Sequence, residues 1–139
     1  MSYVNTFIVL SKDERKVHKI CNFFKYIEGR SENNKHNEIR LDRLDIGKYS
    51  GWHAVEGDLR NTYGSNIRYW VKKLGDYELF KDCYFIVSYE SQDCIQLESM
   101  VDDTREMLMD NFGDLTPLGE KLSDTLPLDD VEQYFSDNL

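Results

Sequence analysis

Positive charge is scarce in the second part of this chain. From Asp82 to Leu139 only Arg105 and Lys121 are basic, against 15 acids. The first 81 residues hold 15 bases and 11 acids, so the net charge of −9 joins a mildly basic start to a strongly acidic end. Affinity for polyanions is carried by Lys and Arg, so an acidic surface speaks against direct binding of nucleic acid or anionic lipid and for a basic protein partner.

Other absences narrow the class. No stretch approaches the ~20 consecutive apolar residues that a bilayer crossing requires. The start has no basic n-region: Val4–Leu10 is interrupted by Asn5 and Thr6 and followed by Lys12, Asp13 and Glu14, which is not the pattern of a secretory signal. There is no Asn-x-Ser/Thr sequon. Cys21, Cys83 and Cys94 are an odd number without metal-knuckle spacing, each beside apolar or aromatic neighbours that suit a buried thiol. The cytoplasm is the expected compartment.

Chemical motifs are missing too. His18, His36 and His53 show no HxH, HExxH or CxxC context, and no GxSxG, GxGxxG or P-loop occurs among the scattered glycines. Neither Cys83 nor Cys94 is placed at a helix start, where a thiol would be activated. The expectation is a protein without catalytic residues, metal or cofactor.

What is present is the material of one α+β domain. The 139 residues are 40% hydrophobic and 13% aromatic, well above the regime of disordered chains. Tyr3–Leu10 reads as a buried strand, and Ser11 with Glu14 as a capping box that opens a helix. Val17, Ile20, Cys21, Phe24 and Ile27 form its apolar stripe, and Gly29 ends it. Residues Arg30–Asn37 read as a loop. Glu38–Ile46 alternates but slips phase between Leu41 and Leu44, as a β-bulge requires, and Trp52–Leu59 is its return strand, with Gly57 marking a bulge or a close backbone approach. A helix follows around Ile67, Trp70, Val71 and Leu74, capped by Ser65 or Asn66. Cys83–Tyr89 and Cys94–Met100 then read as a hairpin.

Val101, Leu108 and Phe112 predict a third helix, Val101–Phe112, stopped by Gly113. Asp114–Thr125 reads as irregular, and a last helix is expected from Pro127. The order of elements suggests a two-layer sandwich: an antiparallel or mixed sheet of about five strands with helices on one face, a ferredoxin-like core, and a C-terminal helical appendage within an acidic segment, 98–139.

The functional expectation follows from the charge pattern. Glu98, Asp102, Glu106, Asp110 and Asp114 recur at every fourth position. On a helix they would lie ~6 Å apart, comparable with successive phosphates of one strand. Like charges at that spacing cost about 0.2–0.5 kcal/mol per pair, so local stability is not what such a ridge serves. The candidate partner-binding residues are therefore Glu98, Asp102, Asp103, Glu106, Asp110 and Asp114. Tyr134 and Phe135 are secondary candidates, and Asp124, Asp129, Asp130, Glu132 and Asp137 extend the field. The expected function is a non-enzymatic inhibitor that mimics nucleic acid and blocks a basic, nucleic-acid-acting partner, as phage counter-defence or toxin-immunity proteins do.

Two alternatives belong to other classes. A small enzyme or ligand-binding domain would use the hairpin of Trp52, His53, Glu56 and Asp58, with His53 facing away from the two carboxylates. A nucleic-acid binder would use Arg60–Lys73, where Arg60, Arg68, Lys72 and Lys73 alternate with Tyr63, Tyr69 and Trp70. That basic stretch could instead clasp the acidic tail, within one chain or across a homodimer.

Overall fold

A computed structural model describes residues 2–90 and 92–138. Its centre is β1 (Val4–Ser11), a strand whose residues from Asn5 onward are all buried because both faces are covered. Phe7 and Val9 point to one hydrophobic cluster, Ile8 and Leu10 to another. Two-sided cover is the physical reason that Phe7–Leu10 reads as a continuous apolar run rather than an alternating one.

Helix α1 (Glu14–Arg30) leaves β1 through a turn. Asp13 caps it, its side chain accepting from the Arg15 amide at 2.9 Å, while the Ser11 hydroxyl accepts from the Asp13 amide at 3.1 Å. The cap thus sits two residues beyond the expected Ser11–Glu14 box. Val17, Ile20, Cys21, Phe24 and Ile27 are all buried as their spacing predicts. Strands β2 (Leu41–Tyr49) and β3 (Trp52–Arg60) pair antiparallel, with a register shift between Leu41 and Arg43. Gly57 is there for close approach: a Cβ would lie 2.1 Å from the Arg43 carbonyl oxygen and 3.0 Å from the Phe7 ring.

Helix α2 (Gly64–Leu74) starts from Tyr63, whose amide donates to the Asn66 side chain at 2.9 Å, and Gly75 closes it in the left-handed conformation. A single turn, α3 (Tyr77–Phe80), leads to β4 (Tyr84–Ser88), which pairs with β1 and with β5 (Ile95–Glu98).

The next element overturns an expectation. Val101–Phe112 is not a helix: residues 99–104 turn, and β6 (Arg105–Met109) pairs antiparallel with β5, Glu98 opposite Arg105. A helix there would have set carboxylates one turn apart with only Arg105 to offset them, and its apolar stripe held just three residues. The free edge of the β4–β5 hairpin offers backbone hydrogen bonds without that repulsion, and tertiary pairing wins. Asp114–Thr125 is not wholly irregular either. Pro117 opens α4 (Pro117–Leu122), with the Thr116 hydroxyl accepting from the Gly119 amide at 3.1 Å. The last helix, α5 (Leu128–Asp137), lies where expected.

The result is a mixed α/β fold with a six-stranded antiparallel sheet in the order β2-β3-β1-β4-β5-β6. Helices α1 and α2 and Phe80 of α3 pack on the face of Phe7, Val9, Val55 and Phe85. The C-terminal segment is more than an appendage: Leu126, Leu128, Val131, Tyr134 and Phe135 cover the opposite face with Ile8, Leu10, Trp52 and Ile86. Among the described residues, no helix is long and apolar enough to cross a membrane.

Candidate functional site

Three layers turn the lopsided sequence into a lopsided solid. Helices α1, α2 and α3 carry eight bases and three acids; α4 and α5, on the other face, carry one base and five acids. The sheet separates them, and β6 is one of its two edges, its outer side met by Leu115 and Thr116.

The six expected partner-binding residues do not form one ridge. Glu98 is 3% exposed and turned inward. Its carboxylate accepts from the Tyr89 hydroxyl and lies 3.4 Å from Arg68 Nη1, and Gly64 leaves the room it needs, since a Cβ there would come within 2.6 Å. Burial and the Glu98 carboxylate push the Tyr89 phenol up from its ordinary value. Glu98 is therefore a structural carboxylate that joins β5 to α2.

Asp102 and Asp110 shape turns. The Asp102 carboxylate accepts from the amide and hydroxyl of Thr104, and these bonds hold it below the usual carboxylate range. Asp110 accepts from the amides of Phe112 at 2.9 Å and Asp114 at 3.0 Å. Asp103 is fully exposed and 3.6 Å from Arg68 Nε, so Arg68 meets two acids of this segment, Glu98 and Asp103. Glu106 and Asp114 are exposed, and neither takes part in an ion pair among the described residues.

The feature that sequence reasoning missed is apolar. Eight large hydrophobic residues are exposed among the described ones, and four fall within 101–115: Val101, Met107, Leu115 and Phe112, the last 84% exposed. The sequence pattern had placed Val101 and Phe112 on the buried face of a helix. The Asp110 turn instead lifts Phe112 outward at the end of β6, beside Asp114. At the other end of the strand a cleft of about 430 Å³ opens, lined by Phe80, Leu97, Met100 and Val101, with Arg105 and Glu106 on its wall. Apolar side chains interspersed with carboxylates along an edge strand form a surface suited to a partner with both apolar and cationic groups.

The alternative sites are engaged elsewhere. Tyr134 and Phe135 are core, at 5% and 2% exposed, and leave the list of contact candidates. Glu56 accepts from the Tyr49 hydroxyl; Asp58 accepts from Arg43 Nε at 3.1 Å and from the Thr6 hydroxyl at 2.9 Å. Arg43 in turn donates to the Tyr134 hydroxyl at 2.6 Å, which donates to the Phe7 carbonyl at 3.0 Å. These groups tie α5 to the sheet. Trp52 is buried, with Lys12 Nζ 4.3 Å above its ring, and His53 lies on the α1 side of β3 beside Val55, away from Glu56 and Asp58. In the Arg60–Lys73 stretch, Arg60 pairs with Asp42 and Arg68 with Glu98, while Trp70 is buried and donates to the Asn37 carbonyl at 2.7 Å. Only Lys72 and Lys73 keep exposed ammonium groups there. Among the described residues no group of three or more His, Cys, Asp and Glu side chains is arranged to hold a metal ion.

No family model matches the chain, and no curated protein matches it. Among solved structures, a de novo designed protein, Foldit4, is similar to it at 16% identity, with a TM-score of 0.47 over 64% of this chain and 96% of that one.

Proposed function

We propose that this chain is a non-enzymatic acidic binding protein that docks on, and blocks, a basic nucleic-acid-acting protein through the β6 edge and its two flanking turns. The observation that carries the reading is the position of Phe112, the most exposed large hydrophobic of the described residues, beside the carboxylate of Asp114, which is exposed and in no ion pair among those residues. An acidic face that served solubility alone would not set Phe112, Met107, Val101 and Leu115 among its charges, because exposed apolar side chains work against solubility. In a protein interface a buried aromatic anchor supplies most of the affinity and the surrounding charges select and steer the partner. Phe112 and Met107 are the anchors in this reading. Asp103, Glu106 and Asp114 meet Lys or Arg of the partner, while Asp102 and Asp110 fix the turns.

Mimicry of nucleic acid survives in a changed form. The carboxylates follow an edge strand and two turns, so they present a charged border rather than a helical row of phosphate spacing. A cytoplasmic location, a single domain and a phage counter-defence or toxin-immunity setting belong to the same proposal, supported by the free thiols of Cys21, Cys83 and Cys94 and by the acidic surface. So does the ferredoxin-like description, supported by the order β2-β3-β1-β4 and the β-α-β-β-α-β succession of the first elements.

Affinity capture from host lysate tests the reading. The immobilised wild-type chain should retain a basic protein that acts on nucleic acid, release it as salt rises, and lose it to competing duplex DNA. Glu106→Lys with Asp114→Lys, and separately Phe112→Ala, should abolish retention. A retained partner that is neutral or acidic, or that binds both variants as well as wild type, overturns the proposal.

A further inference from the structure

The charge ridge that the sequence placed in the acidic segment exists on the other face of the molecule with the opposite sign. On α1 the residues Arg15, Lys19, Asn22 and Tyr26 follow at intervals of four, three and four, and therefore occupy one stripe of the helix. All four are exposed, Tyr26 at 54%. The opposite stripe is the buried one, Val17, Ile20, Phe24 and Ile27, so the polar row points straight out from the sheet. Arg15 and Lys19 have no ion-pair partner among the described residues. The two acids of the helix do little to offset them: Glu28 is turned to the Leu41 amide, which donates to it at 2.7 Å, and Glu14 lies at the first turn.

Local stability does not account for the row, since two cations one turn apart repel. Nor does packing, because none of the described residues covers it. A Tyr that leaves more than half of its surface in water, at the end of a line of cations, has a phenol face free for stacking. Beside the row, a cleft between α1 and α3 is lined by Lys16, Lys19, Phe23 and Tyr26, with Asp76 and Glu78 on its far side. Those two acids repel a polyanion from the α3 wall and leave the α1 stripe as its track. Arg15 and Lys19 stand ~6 Å apart along the axis, close to the separation of successive phosphates in an extended single strand.

We propose that the outer stripe of α1 binds single-stranded nucleic acid, with Arg15 and Lys19 on consecutive phosphates and a base stacked on Tyr26. A duplex fits less well, because its bases are already stacked on one another and offer Tyr26 no open face. The site lies across the sheet from β6 and does not depend on the docking edge. A protein that both blocks a nucleic-acid-acting partner and holds a strand would act where that partner works.

The test uses the full chain and fluorescence anisotropy of fluorescein-labelled dT20, rU20 and a 20-base-pair duplex in 50 mM KCl. Binding of dT20 or rU20 is expected with a Kd of roughly 1–100 μM, weakening as salt rises, with the duplex at least fivefold weaker. Arg15→Glu with Lys19→Glu should reduce affinity at least tenfold, and Tyr26→Ala about fivefold or more, with unfolding midpoints unchanged because these side chains are exposed. Glu106→Lys with Asp114→Lys, which probes the docking edge, should change it less than threefold. No anisotropy change at about 200 μM protein overturns the proposal, as does single-strand binding that ignores the α1 variants. Equal affinity for duplex and single strand, with no effect of Tyr26→Ala, overturns it as well.

Discussion

Arg68 reaches from α2 across to β5, where its Nη1 lies 3.4 Å from the carboxylate of Glu98, a side chain only 1% exposed. A buried ion held by one cation is costly to strand: removing the partner of a buried pair costs about 3–5 kcal/mol, whereas removing both charges is often close to neutral. Arg68→Met should therefore destabilise the chain by about 3 kcal/mol in urea unfolding. The double variant Arg68→Met with Glu98→Gln should recover more than half of that loss. A single variant as stable as wild type would mean that water, and not Arg68, neutralises Glu98.

Gly57 offers a second test of packing. Its position opposite Leu44 and Phe7 brings the Arg43 carbonyl to within 2.1 Å of where a Cβ would stand, and both neighbours are held in adjacent strands. Gly57→Ala should cost about 3 kcal/mol, the upper part of the usual range for overpacking, and lower the melting temperature accordingly. Gly29→Ala serves as the control, because nothing lies within 4 Å of its Cβ position.

These two sites also mark what could be read from the chain alone. The glycine and the slipped alternation at Leu41–Leu44 announced a local irregularity, since period-two patterning and close approach leave their trace in adjacent residues. The stripe of α1 was legible for the same reason. Glu98 was not: its partner Arg68 is 30 residues away, and a carboxylate destined for burial looks like any other in the sequence. Nor was β6, because acids at every fourth position imitate a helix, while the strand exists only through its pairing with β5. The exposure of Phe112 was hidden by the same error of period. The spacing of Leu128, Val131 and Phe135 after Pro127 indicated a helix that docks, but the burial of Tyr134 and Phe135, expected as contact candidates, depended on the sheet face that α5 covers.

Separating stability from binding is the sharpest check on the β6 edge. Phe112 is so exposed that Phe112→Ala should leave the unfolding free energy within about 0.5 kcal/mol of wild type. If the residue anchors a partner, the same variant should weaken the isolated complex by about 2 kcal/mol or more, roughly thirtyfold in Kd, by titration calorimetry. Glu106→Lys should act mainly on the association rate and flatten its dependence on salt. A Phe112→Ala chain that loses stability and binding together would place the side chain in the fold rather than in the interface.

Alkaline pH probes three phenols at once. Burial is the first cause that pushes Tyr49, Tyr89 and Tyr134 above the ordinary tyrosine value, with Glu56 acting also on Tyr49 and Glu98 on Tyr89. A phenol raised in the folded state keeps its proton when the unfolded chain has lost it, so the unfolded state binds fewer protons above pH ~10 and stability falls as pH rises. The contribution is fully present below pH ~10 and disappears above it, at up to about 1.4 kcal/mol per pH unit for each of the buried Tyr89 and Tyr134 and less for the more exposed Tyr49. Tyrosinate absorbance should therefore stay incomplete until circular dichroism reports unfolding, because the phenols of Tyr49, Tyr89 and Tyr134 hold their protons in the folded chain. Tyr89→Phe should reduce the slope of stability against pH in this range. A single smooth titration with the sheet still intact would show that these hydroxyls are open to solvent, and would remove the proposed burial of Glu98 with them.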